Sequence, residues 1–300
     1  MRLLIACDGS ACSDDALSDL ARAGLPNSLE AVVISVAQWA ELPVGMSAGA
    51  CSNFFAASAP EFDDPCAYEL QIAQSHADAA ADRLRAAFPT WAVATETRVD
   101  SPAASIISKA VMWKPDLLVA GSRSGAILGS VAQAVLQLSP CSVRIARRSR
   151  QFHNKPLRIF VGVDGSQLSR AVVNSVLSRA WPADTEFRIL GVIQLGATPD
   201  PGILGHFETA SPAEYADVRA SICASVSEAA DAIERAGFYV TSAVREGRPE
   251  RHLLSESAQW QADCIFLGSR AHRGPRHSTA QSICPAIAAQ AHCSVEVIRR

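Results

Sequence analysis

Two aspartate-glycine-serine triplets, Asp8-Gly9-Ser10 and Asp164-Gly165-Ser166, each follow a short apolar run. A carboxylate at the end of such a run can hold a ribose hydroxyl or a metal-bound phosphate. It can equally accept backbone N–H bonds and close an Asx turn. Gly121-Ser122-Arg123 and Gly268-Ser269-Arg270 end two further apolar runs, and Gly129-Ser130 opens an amphipathic stretch. Glycine lets backbone approach phosphate oxygens, and a helix start offers unpaired N–H groups at the positive end of its dipole. This set suits holding a ligand better than transforming one. The patterns GxxxxGK[ST], GxSxG, HExxH and GxGxxG are missing, and none of the three lysines (Lys109, Lys114, Lys155) follows a glycine loop. With no residue placed as a general base, the expectation is a binding protein and not an enzyme, slow nucleotide hydrolysis aside.

The elements that must position these residues come in duplicate. Leu3 to Ser10 recurs as Ile159 to Ser166, and Glu30 to Gln38 recurs as Glu186 to Gln194. Pro102, Trp113 and Asp116 to Arg123 recur as Pro249, Trp260 and Asp263 to Arg270, and each copy closes on Cys-Ser-Val, at Cys141 and Cys293. The order of matches is kept, which marks a tandem duplication. The expected divisions are a first domain over residues 1–148, a linker over 149–156 and a second domain over 157–300. Within each copy, runs such as Val32–Val36 and Leu117–Ala120 are apolar on successive residues, as in strands buried on both faces. Helical spacing follows Ser13, and recurs at 78–88, 106–111, 131–136 and 214–236. Such alternation builds a parallel sheet with right-handed crossovers. In Val143-Arg144-Ile145 and Val295-Glu296-Val297 a charge interrupts the apolar pattern, which predicts edge strands with one wet face. Unpaired edges find partners, so these two strands are expected to pair with each other across a pseudo-twofold axis.

Strand one ending in Asp-Gly-Ser, strand four ending in Gly-Ser-Arg, a later Gly-Ser-Val opening a helix and a final Cys-Ser-Val strand together resemble the universal stress protein family, here as two domains in one chain. The resemblance implies an α/β fold of two tandem Rossmann-like (adenine nucleotide alpha hydrolase-like) domains. Each is a five-stranded parallel sheet of order 3-2-1-4-5 flanked by helices. Ligands then sit beyond the carboxyl ends of the strands, at the switch point between strands one and four. Carried over position by position, the resemblance implies a nucleotide site of Asp8, Val36, Gly121, Arg123, Gly125, Gly129 and Ser130. A weaker site in the second copy comprises Asp164, Val192, Gly268 and Ser282. The implied cofactor is ATP with Mg²⁺.

Both copies depart from the family's ATP pattern, in which the closing Gly stands thirteen positions after the first. In the first copy Ser124 replaces the second Gly, beside Gly125, and Gly129-Ser130 arrives only eight positions on. Five missing residues remove up to ~16 Å of contour at ~3.3 Å each. The second copy keeps the length but has Ala271 and Gln281 at the glycine positions. A cluster of His272, Arg273, Arg276 and His277 lies on that loop, where it reads as solvated or as an electrostatic substitute. Two functions stand: a stress-response regulatory protein with an adenine nucleotide site in domain 1 and a degenerate one in domain 2, or a pseudo-symmetric interaction scaffold with decayed sites. Either takes an unidentified protein partner, and a homodimer is compatible with both.

Other classes fit poorly. Net charge is −3 and neither half has a basic excess, which excludes a phosphate-backbone binder. The basic group Arg147, Arg148, Arg150, Lys155 and Arg158 falls where a solvated linker is expected. Hydrophobic residues make up 49% of the 300 and charged ones 19%, enough for packed cores and too apolar for disorder. No apolar stretch is long enough for a membrane span, and Met1 leads directly into a strand-like run, so the expected location is the cytoplasm. Nine cysteines without a CxxC pair point to a reducing compartment and no metal site. Cys12 is either a reactive thiol near a helix start or a bystander. Trp113 and Trp260 are expected to close helices against the sheet, and His76 to be solvated. The Gly- and Pro-rich stretches 44–65 and 195–212 read as long loops.

Overall fold

The structure is a computed structural model describing residues 1–38, 65–122, 128–148, 155–194, 212–269 and 283–299. The first half runs β1 (Arg2–Ala6), α1 (Ala11–Asp19), a 3₁₀ turn (Leu20–Arg22), β2 (Glu30–Ala37), α2 (Pro65–Ala87), β3 (Ala92–Val99), α3 (Pro102–Trp113), β4 (Leu117–Gly121), α4 (Ser130–Leu138) and β5 (Ser142–Ala146). The second half repeats it as β6 (Arg158–Val163), α5 (Gln167–Leu177), β7 (Glu186–Ile193), α6 (Pro212–Arg235), β8 (Tyr239–Glu246), α7 (Pro249–Gln259), β9 (Cys264–Gly268), α8 (Ile283–Gln290) and β10 (Ser294–Ile298). Each half has the strand order 3-2-1-4-5. The two join into one ten-stranded sheet, β3-β2-β1-β4-β5-β10-β9-β6-β7-β8, parallel within the halves and antiparallel at the β5–β10 seam.

Local chemistry sets the ends of the elements. Ser10 caps α1, its hydroxyl accepting from the Ser13 amide at 3.4 Å. Pro102 and Pro249 start α3 and α7, where a missing N–H costs nothing. Both repeated tryptophans serve one construction. The Arg2 guanidinium donates to the Trp113 carbonyl (3.2 Å) and lies over its ring, while the Arg2 amide donates to Asp116. In the second half Arg158 does the same with Trp260 (3.0 Å) and Asp263. The strand start is thus pinned to the end of the preceding crossover helix, which explains why these residues recur together.

Side chains alternate between two layers. Leu3, Ile5, Val33, Leu117 and Val119 pack under α1 and α2 in a core belonging to the first half alone. Ile159, Val161, Phe187 and Phe266 form its counterpart. The opposite face is shared: Leu4, Leu118 and Val143 are continuous with Phe160, Ile265 and Val295, and α4 meets α8 across the seam. The halves are therefore repeats in topology joined by one core.

The seam corrects two expectations. β5 and β10 pair as anticipated, Arg144 directly opposite Glu296, yet neither strand is a wet edge. Arg144 is 1% exposed and Glu296 0%. The charges interrupt the apolar pattern because they satisfy each other: Arg144 Nε and Nη2 donate to Asp19 (2.6 and 3.1 Å) and Nη1 to Glu296 (3.0 Å), while Arg179 also donates to Glu296. Arg147, expected on a solvated linker, is 2% exposed and donates to the carbonyls of Ala288, near the end of α8, and Cys293, just past it. Arg299 reciprocates on Leu136 and Ser139 at the end of α4. Cations at helix C-termini satisfy orphan carbonyls and oppose the dipole. Burial among neutral carbonyls lowers the basicity of both arginines. Of the same basic group, Arg158 is part of the sheet start and Arg148 and Lys155 are exposed, while Arg150 lies outside the described residues.

Candidate functional site

β1, β2 and β4 all end on the same side of the sheet, and their carboxyl ends open into a cleft of about 350 Å³. Its floor is Asp8 and Gly121, which end β1 and β4 on either side of the switch point. One wall is Ile34, Val36 and Gln38 at the end of β2; another is Ile106 of α3 with Val131 and Ala132 of α4. Glu69, Ala73 and His76 of α2 form the third. Asp8, Val36 and Gly121 thus come together as the sequence implied. Gly129 and Ser130 start α4 but are exposed, and the residues that reach the cleft are the next two. Arg123, Gly125, Ser282, the 271–281 glycine-loop substitutions with their His and Arg cluster, most of the proposed linker and the bulk of both long loops lie outside the described residues.

Asp8 closes an Asx turn, accepting the Ser10 amide at 3.0 Å. Burial alone would raise its carboxyl, but hydrogen bonds from Ser10 and Ser13 outweigh this and hold it below 3.8, so it is ionised at neutral pH. The next residue, Gly9, has φ +71, and a Cβ there would lie 2.4 Å from His76 Nε2. His76 is therefore not solvated: half-buried, its ring lies against the Asp8–Gly9 turn, and its carbonyl accepts from the Cys7 thiol at 3.8 Å. The signal for this was present, since His76 shares a helical face with the buried Ala73, Ala77 and Ala80. Gly121 has a reason of its own. A Cβ there would stand 2.1 Å from the Cys12 carbonyl oxygen, so this glycine admits the first turn of α1 and is needed with or without a ligand. Among the described residues the lining holds two carboxylates, Asp8 and Glu69, one imidazole, and neither lysine nor arginine.

The second half repeats the Asx turn and departs around it. Asp164 accepts both the Ser166 amide (3.0 Å) and the Ser169 hydroxyl (2.7 Å). In the first half the matching Ser13 hydroxyl donates to the Ser10 carbonyl (2.8 Å) while also lying within reach of Asp8. Again burial would raise the Asp164 carboxyl, and the serines hold it low. Leu168 stands where Cys12 lines the first cleft, its Cβ 3.0 Å from where a Cβ on Gly268 would fall. Val192 is buried in the shared core, whereas Val36 is half-buried and faces the cleft.

The sequence model of the universal stress protein family matches residues 1–147 and again 157–299. The chain belongs to that family. Among solved structures it is similar to a universal stress protein from Archaeoglobus fulgidus DSM 4304, at a TM-score of 0.68 and 19% identity over 100% of this chain and 98% of that one. It is also similar to a putative universal stress protein from Pseudomonas aeruginosa UCBPP-PA14, at 0.61 and 15% over 99% and 92%. At these identities the likeness establishes the fold, in agreement with the tandem 3-2-1-4-5 reading. No curated protein matches the chain. In this universal stress protein, no described helix is long and apolar enough to cross a membrane, and no group of three or more metal-ligating side chains occurs among the described residues.

Proposed function

We propose that this universal stress protein is a regulatory binding protein whose first half holds an adenine nucleotide in the cleft between β1 and β4, and whose second half serves as a structural counterpart. One observation carries the reading: a cleft of about 350 Å³, within the range of small-molecule sites, opens at the switch point of a doubly wound sheet with an ionised carboxylate on its floor. Ile34, Val36 and Ile106 line the cleft and would offer apolar surface to a base, and Asp8 on the same lining would accept a ribose hydroxyl. Base and ribose fit this lining. The phosphates of ATP fit it less well, since no described side chain there is cationic; bound Mg²⁺ would supply charge neutralisation facing Asp8. Leu168 in the place of Cys12 and the burial of Val192 favour the counterpart role for the second half. Ligand binding in the first half then biases the choice of protein partner.

Calorimetry of adenine nucleotides with Mg²⁺ against the full chain tests the reading. Heat is expected, lost in Asp8→Ala and retained in Asp164→Ala. No heat with any adenine ligand, or the same affinity in Asp8→Ala, removes the site. A nucleotide carried through gentle purification and identified by mass spectrometry would be independent support.

A further inference from the structure

We propose that β8, the outer strand of the second half, pairs antiparallel with β8 of a second copy of this chain, joining two ten-stranded sheets about a twofold axis at Ser242.

The backbone supplies the joint. Among the described residues β8 has β7 as its single neighbouring strand. The Gly247 amide donates to the Ile193 carbonyl of β7, which fixes the alternation along the strand. The peptide groups of Thr241, Ala243 and Arg245 turn to β7, and those of Val240, Ser242 and Val244 turn outward. Tyr239, Ser242, Arg245 and Glu246 are exposed along this edge, Tyr239 to 67%. Residues 239–244 carry no charge, and an edge without charges is the kind that takes up another strand. β3, at the opposite edge, holds Glu96 tied to Arg98 and Lys109. The first half thus guards the position that the second leaves open.

The sequence of β8 names the occupant. An axis at Ser242 sets that residue against itself, and outward peptide groups meet outward peptide groups. Val240 then faces Val244 of the second copy, Thr241 faces Ala243, and Tyr239 faces Arg245. Arg245 donates to Glu256 at 2.7 Å and keeps 43% of its side chain exposed, free to lie beside the tyrosine ring. No like charges are opposed, and valine meets valine. Faces match as well, since Val240 and Val244 pack into the core under α6 and Ala243 into the shared core on the other side. The strand is its own complement, as a twofold interface requires. Val218 of α6, 47% exposed, and Tyr239 are the large apolar side chains that the described second half leaves open. α6 packs over β7 and β8, so the joint brings two copies of it alongside each other. The chain already makes one such joint within itself, where β5 and β10 pair antiparallel and α4 meets α8.

Sedimentation velocity of the full chain from about 1 to about 100 µM tests the joint, and a reversible dimer is expected. In Ser242→Pro both hydrogen bonds of the central pair vanish while the ladder to β7 keeps its donors, so Kd should rise at least about tenfold. Tyr239→Lys sets cation against cation at each end of the joint and should weaken it comparably. Thr97→Pro, the matching outward position on β3, should leave the dimer unchanged. Circular dichroism checks that each variant is folded; if Ser242→Pro is not, Tyr239→Lys decides. A chain monomeric across the range overturns the proposal, even where a synthetic strand peptide binds it, since the edge then belongs to another protein. A dimer whose Kd the folded β8 variants do not move, or that Thr97→Pro weakens equally, overturns it too.

Discussion

Arg144→Met is expected to cost this protein far more than the loss of an ordinary ion pair. The guanidinium is 1% exposed and shared between Asp19 (2.6 and 3.1 Å) and Glu296 (3.0 Å), whose side chains are 4% and 0% exposed. Methionine fills most of the volume but takes the cationic partner from Asp19 and one of two from Glu296. Asp19 keeps the Ser294 hydroxyl at 2.8 Å and Glu296 keeps Arg179, so neither is left bare. Breaking a buried pair from one side costs about 3–5 kcal/mol, most of it the uncompensated charge rather than the net worth of the bridge. A chain of 300 residues has an unfolding entropy of about 0.6 kcal/mol/K, so Tm should fall by about 5–8 °C in differential scanning calorimetry. Arg170→Met is the control. Its bridge to Glu228 spans 3.5 Å with side chains 73% and 61% exposed, and its removal should cost less than about 0.5 kcal/mol. A Tm for Arg144→Met within about 1 °C of the parent's, the size of the control's effect, would refute the claim that the seam charges are desolvated.

Three further outcomes follow from the same geometry. Gly121→Ala should destabilise by about 1–3 kcal/mol in urea titration, because the new Cβ falls 2.1 Å from the Cys12 carbonyl oxygen; Gly268→Ala, facing a side chain at 3.0 Å, should cost less. Serine hydrogen bonds depress the Asp164 carboxyl below 3.8, so its stabilisation is complete above about pH 4 and lost on acidification through its folded value. The gap in urea midpoint between parent and Asp164→Asn should therefore be wide at pH 7 and close by pH 2; a gap constant with pH would contradict the assignment. Burial pushes the Cys264 thiol up to about 12 and the Cys293 thiol well up also, whereas Cys223 is exposed. Iodoacetamide at pH 8 should label Cys223 in the native protein and reach the other two only after unfolding, as read by peptide mass spectrometry.

The strands buried on both faces were legible because their apolar runs are continuous. β3 and β8 were not, since they are the outer strands of the sheet: Ala92–Val99 alternates with Thr95, Glu96, Thr97 and Arg98 and carries no comparable run. Arg144 and Glu296 read as wet because a charge in a strand usually faces water, and only the register across the seam reveals their mutual neutralisation. Gly121 was found for a reason that the structure replaces in part, since a protein carbonyl occupies the space its missing side chain leaves. His76 read as solvated because what holds it is the close approach of the Gly9 turn, nearly seventy positions away in the chain. Glu69, the second carboxylate of the cleft, carried no motif; only the packing of α2 over β2 and β3 brings it there.

At the centre of the antiparallel β5–β10 pair a residue of one half sits across from its own counterpart in the other, and the two bear opposite sign. Were two first halves to meet through the same strand, arginine would confront arginine; two second halves would set glutamate against glutamate, each sealed from water. The ancestral module could have been one interchangeable subunit of a symmetric pair. Its descendants in this chain have become lock and key, each fitted to its sibling and barred from its own kind.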